Sequence, residues 1–146
     1  MPAPQIRRLP DLLRAARQAA NLSQKALALA AGVDQSRLCA IEKGRQALTD
    51  VQLEERLLAA LGCSGRTLAL IRNAASHDRA MLALESQALD ERALRVASAG
   101  LWAACHLNDD EQTGLVRQLN EICRSKALLE ALLGSRRPTG TEAAMT

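Results

Sequence analysis

The sequence contains no phenylalanine and no tyrosine, and tryptophan occurs only once in its 146 residues. Alanine and leucine dominate instead, and β-branched residues are sparse. Strand formers are therefore scarce and helix formers abundant. A hydrophobic content of 48% is enough for a real core. The composition predicts an all-α protein.

Long apolar runs are also missing. No uninterrupted stretch approaches the ~20 apolar residues that span a bilayer, and residues 1–8 lack the apolar segment of a secretory leader. We therefore expect a soluble protein in the cytoplasm, where thiols stay reduced.

The cysteines form no C-x-x-C pair. A zinc site that combines them with His77 and His106 is conceivable, but the spacings fit no ligand pattern. Cys39 either senses oxidants or packs as a small buried hydrophobe. The four cysteines are Cys39, Cys63, Cys105 and Cys123.

Signs of catalysis are equally scarce. No nucleophile and base, paired carboxylates, phosphate loop or metal motif can be assembled from the pattern. The acidic run Asp109-Asp110-Glu111 is better explained as the favourable first turn of a helix. We expect neither enzymatic activity nor a cofactor.

The positive charge is unevenly distributed. Residues 1–63 contain 9 Lys and Arg against 6 Asp and Glu, a net of +3, whereas residues 64–146 contain 10 of each. The whole formal excess of +3 therefore lies in the first half. This placement suits an anionic partner.

The segment from Leu22 to Arg45 has the pattern of two short helices around a tight turn. Ser23 can cap the first helix, which Gly32 ends, and Asp34 can cap the second, which Gly44 ends. Two helices joined by a short glycine-containing turn form the helix-turn-helix unit that places its second helix in the DNA major groove.

Helices are predicted on both sides of this segment. The first should begin near Pro10 and run to about Ala20. A fourth should span about Asp50 to Leu61, with Thr49 as its cap and Gln52 as the reciprocal capping-box partner. At each of three helix starts, the apolar residue before the cap is expected to pack against the residue four positions after the cap. The pairs are Leu22 with Leu27, Val33 with Leu38, and Leu48 with Leu53.

The order of these features resembles the lambda-repressor-like, Xre-type helix-turn-helix regulators. The resemblance covers about Leu9 to Ser64, with one more helix to about Arg72. It implies an N-terminal bundle of four to five helices and a DNA-binding regulator that acts as a dimer. The matching residues are Leu22-Ser23-Gln24, Leu27-Ala28, Gly32-Val33, Gln35-Ser36, Ile41-Glu42, Gly44 and Ala60-Leu61-Gly62.

The second helix of the motif should have two distinct faces. At about 100° per residue, one side holds the packing residues Leu38, Ile41 and Glu42, and the other turns outward. In the family the outward face and its N-terminal end meet the bases. The matching positions are Gln35, Ser36, Arg37 and Ala40.

The side chains at these positions suit different contacts. The Gln35 amide can bind adenine in a bidentate way, the Ala40 methyl can meet thymine, and Arg37 can reach guanine or a phosphate.

Other positions match supporting roles in the family. Gln24 matches a residue that grips phosphate, and Lys43 and Arg45 suit the same role at the far end. Arg17 and Glu42 match a structural ion pair of some relatives, which ties the first helix to the recognition helix.

The second half contains three further helical patterns, at about 66–88, 90–106 and 108–133. His77 lies on an apolar stripe, which favours a core histidine over a ligand or pH switch. Trp102 either anchors the core or lines a pocket. Asn108 with Glu111 forms a capping box for the last helix.

The last helix has a heptad-like seam, which packs within a bundle, against a second subunit, or both. The seam residues are Leu115, Leu119, Ile122, Lys126, Leu129 and Leu133.

The expected organisation has four parts. Residues 1–8 form a flexible arm in which Arg7 and Arg8 either follow DNA or stay solvated. Residues 9–65 form the DNA-binding domain, residues 66–133 a helical region for dimerisation or partner binding, and residues 134–146 a disordered tail.

The main functional hypothesis is a transcriptional regulator, most simply a repressor, that binds double-stranded DNA as a dimer on an inverted repeat. One alternative is an antitoxin-like protein that binds a partner protein through its C-terminal helices and regulates its own promoter. Another is an effector-sensing regulator with a ligand pocket in the second half.

Overall fold

The computed structural model describes residues 6–134, and helices are the only regular secondary structure in this range, as the composition predicts. The bounds of the helices are α1 Leu9–Ala19, α2 Gln24–Ala31, α3 Gln35–Glu42, α4 Val51–Leu61, α5 Gly65–Glu85, α6 Glu91–His106 and α7 Asp109–Gly134. An N-terminal helix-turn-helix region is followed by longer C-terminal helices, which confirms the predicted fold class.

The chain divides into two compact units, one up to Cys105 and one from His106 onward. The domain boundary expected at residue 65 lies inside the first unit. The reason is that α5 packs along α1, so the helix that follows the predicted DNA-binding domain shares its core.

The core of the first unit is made of leucine, isoleucine and alanine side chains from α1 to α5. Leu27, Leu38 and Leu53 are completely buried. Trp102 of α6 packs against this cluster as a partly buried side chain. Small aliphatic residues therefore fill the interior without phenylalanine.

Two of the three predicted helix starts in this region lie where expected. The Ser23 hydroxyl accepts a hydrogen bond from the Ala26 amide at 3.0 Å, which caps α2. Asp34 occupies the N-cap position of α3, but its side chain makes no capping hydrogen bond. Gly32 and Gly62 end α2 and α4 in the left-handed region, with φ of 64° and 65°, where a Cβ atom would be strained.

The predicted cap of α4 is wrong by one residue. Asp50, and not Thr49, is the N-cap, and its Oδ1 accepts hydrogen bonds from the amides of Gln52 at 2.9 Å and Leu53 at 3.1 Å. Both residue types favour this position, but a carboxylate also interacts favourably with the positive end of the helix dipole.

The N-terminus of α1 is capped by a residue far away in sequence. The Asp78 carboxylate of α5 accepts hydrogen bonds from the backbone amides of Arg8 at 2.8 Å and Leu9 at 2.9 Å. The Arg7 guanidinium donates to the Asp78 carbonyl and to Glu85, both at 2.9 Å. Arg7 and Arg8 of the expected arm therefore lie against α5, and residues 1–5 lie outside the described part.

The second unit is described from His106 to Gly134. The capping box of α7 is confirmed: the Asn108 amide donates to Glu111 Oε2 and the Glu111 amide to Asn108 Oδ1, both at 2.9 Å. Gly134 is the last residue of α7, and the rest of the predicted tail lies outside the described residues.

No helix between residues 6 and 134 is both long enough and apolar enough to cross a membrane.

Candidate nucleic-acid interface

Helices α2 and α3 are joined by a tight turn at Gly32. The turn is closed by a hydrogen bond from the Val33 amide to the Ala28 carbonyl at 3.0 Å. Asp34 then adopts an extended conformation, with φ of −63° and ψ of 138°, and α3 starts at the next residue. A left-handed glycine followed by an extended residue reverses the chain within a few residues, as a helix-turn-helix motif requires.

Helix α3 has the two faces that its periodicity predicts. Leu38, Ile41 and Glu42 are buried, with exposures of 2% or less. Gln35 and Ser36 at the N-terminal end are exposed, and Ala40 is half-buried on the same side. An amide, a hydroxyl and a methyl group therefore form the outer edge of this helix.

Arg37 lies between these faces and is half-buried. It borders a groove with Ala28, Gly32 and Asp34. Its Nε atom is buried and has no hydrogen-bond partner. A buried donor without an acceptor is costly, so an acceptor supplied by a bound partner would relieve this cost.

Glu42 fixes α3 against α1 through a buried ion pair. Arg17 donates to its carboxylate from Nε at 2.6 Å and from Nη2 at 3.1 Å, and the Arg14 guanidinium donates to its carbonyl at 2.7 Å. The hydrogen bond to Glu42 raises the pKa of Arg17, against an opposing effect of burial. The predicted pair between Arg17 and Glu42 is thus present in the structure.

The residues predicted to hold phosphates lie in different environments. Lys43 and Arg45 are exposed at the C-terminal end of α3. Gln24 is half-buried, and its Nε2 donates to Glu42 Oε2 at 3.0 Å. One amide N–H of Gln24 therefore serves the ion pair, which leaves the second N–H and the carbonyl oxygen for another contact.

Residues 8–71 match the family model of a helix-turn-helix domain. This segment is a helix-turn-helix domain. The match is consistent with the lambda-repressor-like, Xre-type family that the sequence resembles. No curated protein and no solved structure matched the chain significantly.

The helix-turn-helix domain suggests a DNA-binding regulator. Domains of this family are typically not enzymes.

Sequence reasoning overlooked Arg14, which holds the C-terminal end of the recognition helix in this helix-turn-helix domain. The only available signal was its position three residues before Arg17, which places both on one face of α1. An arginine bound to a backbone carbonyl leaves no pairing pattern in the sequence, because the acceptor exists in every residue.

The helix-turn-helix domain is linked to α6 by a buried polar chain. His77 Nε2 lies 2.9 Å from Ser98 Oγ, and His77 Nδ1 lies 2.8 Å from Asp78 Oδ1. His77 also makes an edge-to-face contact with Trp102, with ring centroids 5.9 Å apart. The prediction of a core histidine is confirmed.

The sequence predicted that no nucleophile and base lie together. This prediction was wrong for the placement of side chains, because Ser98, His77 and Asp78 are arranged in the order of a serine hydrolase triad. Ser98 lies inside α6, where backbone amides already donate to carbonyls of the same helix and are not free to bind an oxyanion. The geometry therefore favours a structural tether that joins α5 and α6 to the capped end of α1.

The four cysteines are all free thiols. Burial raises the pKa of the Cys63 thiol above its usual value, which lowers its thiolate fraction and its reactivity. Cys39 is half-buried on α3. Between residues 6 and 134, no three His, Cys, Asp or Glu side chains are grouped closely enough to hold a metal ion.

Proposed function

We propose that the protein is a sequence-specific transcriptional regulator, most simply a repressor, that inserts α3 into the major groove of double-stranded DNA in the cytoplasm. One observation carries this proposal: α3 exposes Gln35 and Ser36 while its opposite face is buried and anchored through Glu42. A rigid helix with a polar outer edge is what major-groove recognition needs.

The proposed contacts follow the environment of each side chain. Base edges are contacted by Gln35, Ser36, Arg37 and Ala40. Lys43 and Arg45 contact phosphates beyond the end of α3, and Gln24 offers its remaining amide N–H to the phosphate backbone. Since these contacts displace counterions, DNA affinity should fall steeply as salt rises.

Selection of bound sites from random DNA duplexes tests the proposal. The full-length protein should enrich one motif, and Gln35→Ala should relax its preference at one base position at a cost of roughly 1 to 3 kcal/mol. Gln18→Ala, an exposed amide on α1, is the matched control and should select the unchanged motif.

Lys43→Gln should weaken binding to all sequences alike and lower the slope of log affinity against log salt by about one. Failure to enrich any motif, or an unaltered preference in Gln35→Ala, would contradict sequence-specific binding.

We further propose that the protein is a homodimer formed through α7. Leu119, Ile122, Leu129 and Leu133 of the seam are 44 to 65% exposed. Together with Leu115 and Lys126 they repeat at alternating spacings of four and three residues. A second copy offers the same repeat and buries both seams at once. Two recognition helices would then bind an inverted repeat with half-sites about one helical turn, ~34 Å, apart.

The exposed seam also suits the antitoxin-like alternative, in which another protein covers α7. Light scattering and co-purification separate the two. A protein that is dimeric when purified alone supports the regulator, whereas a monomer that captures a stoichiometric partner from its host supports the antitoxin.

A further inference from the structure

A cavity of about 520 Å³ lies beside the capped end of α1, within the first unit. Ile6, Leu12 and Trp102 supply its apolar wall, and Ser98 belongs to its lining. The volume falls within the usual range of about 300 to 1,000 Å³ for small-molecule sites. An apolar wall with an aromatic ring favours a flat, partly apolar ligand.

Three arginines also line this cavity, and two of them form an ion pair with a glutamate. Arg7 is paired with Glu85 at 2.9 Å and Arg95 with Glu91 at 2.8 Å. Arg8 has no ion pair among the residues that the structure describes, and its guanidinium lies 5.2 Å from the centroid of the Trp102 ring.

The one nearby acidic lining residue, Asp11, is 79% exposed and lies 3.8 Å from Arg14. A guanidinium stacked on an aromatic ring keeps its N–H edges available for an anion. Among the lining residues that the structure describes, the charge without an ion-pair partner is therefore the positive charge of Arg8.

We propose that this cavity binds a small aromatic anion, such as an aromatic carboxylate, as an effector of DNA binding. The carboxylate is held by Arg8, and the ring packs against Trp102 and Leu12. The regulatory part rests on the proposed DNA-binding function, whereas binding of the anion does not.

Helix α1 connects this cavity to the recognition helix. At its N-terminal end, the amides of Arg8 and Leu9 are fixed by Asp78, which is bonded through His77 to Ser98 in the cavity wall. Further along, Arg14 and Arg17 hold Glu42 of α3. A ligand that favours one position of α1 thereby favours one position of α3.

The test uses the full-length protein and the fluorescence of Trp102, its only tryptophan. Benzoate is the anionic probe and benzamide its neutral counterpart. We expect saturable quenching by benzoate, weaker binding of benzamide, and about tenfold weaker benzoate binding in Arg8→Gln. Arg92→Gln, an exposed arginine of α6 outside the cavity, is the control and should bind benzoate like the unaltered protein.

Each contrary result overturns a defined part of the proposal. Absence of saturable quenching, or equal binding of benzoate and benzamide, overturns the anion site even if operator binding is normal. Saturable binding with unchanged operator affinity, measured on the selected DNA motif, overturns the effector role. If no motif is selected, the proposed function fails while the anion titration still stands.

Discussion

At the scale of single residues, Glu42 is the most constrained charge of the recognition helix. Its side chain is 3% exposed and Arg17, its partner, is 14% exposed. A buried carboxylate is tolerated only where donors satisfy it, because desolvation otherwise exceeds the gain from the charge. Arg17 and Gln24 together supply three donors.

Arg17→Gln should therefore lower the free energy of unfolding by about 3 kcal/mol, since it leaves the Glu42 charge buried with fewer donors. Arg72→Gln is the matched control, because Arg72 and Glu55 are about half-exposed, with values of 48% and 52%, and such pairs contribute under about 1 kcal/mol. Urea unfolding of both variants measures the difference. Equal losses of unfolding free energy in the two variants would show that the burial of Glu42 does not increase the cost of removing its partner.

Residue patterns in the sequence predicted which side chains of α3 are buried, but not every hydrogen bond. Helical periodicity alone sets the buried positions Leu38 and Ile41. The Gln24 amide, by contrast, can donate toward DNA or toward Glu42, and its sequence position is the same in both cases. Thr49 and Asp50 are adjacent residues that can both cap a helix, so their sequence does not decide the first residue of α4.

At the scale of elements, α1 is held at both ends by carboxylates from other helices. Asp78 of α5 caps its N-terminus, and Glu42 of α3 binds its C-terminal half through Arg17. Spacing along the chain predicted each of these helices separately. It did not predict that α5 packs on α1, because a separation of 69 positions between Leu9 and Asp78 leaves no local pattern of the contact.

Asp78→Asn should reduce stability by roughly 2 kcal/mol, because a neutral amide is a weaker acceptor for two helix N-terminal amides and for His77. Asp11→Asn is the control, since this carboxylate lies in the first turn of the same helix but is 79% exposed; its loss should stay below about 1 kcal/mol. Urea midpoints of the two variants provide the comparison. A larger loss of stability in Asp11→Asn than in Asp78→Asn would rule out Asp78 as the dominant cap of α1.

At the scale of the whole molecule, Lys126 constrains how two copies of α7 can pair. In a parallel coiled coil the seam position of Lys126 would face the same lysine of the partner, which places like charges together. The midpoint of the seam is at the level of Arg124. In an antiparallel pair centred at this level, Lys126 instead faces the partner's Ile122. We therefore expect the antiparallel arrangement.

An antiparallel pair of this kind brings Cys123 of the two copies close together beside the central layer. Mild oxidation should then produce a covalent dimer on non-reducing gels, and Cys123→Ser should abolish it. Cys105→Ser, which removes another exposed thiol, should leave it intact. A dimer in solution that does not cross-link through Cys123 would contradict the antiparallel arrangement.

The cap that Asp78 places on α1 also has a consequence for synthesis of the chain. The first helix emerges from the ribosome some 69 residues ahead of the carboxylate that closes its N-terminus. Until residue 78 is outside the exit tunnel, two amides at the start of α1 lack their native acceptor. The helix-turn-helix domain therefore reaches its final form only after most of α5 has left the exit tunnel, and a fragment that ends at residue 71 would never acquire this cap.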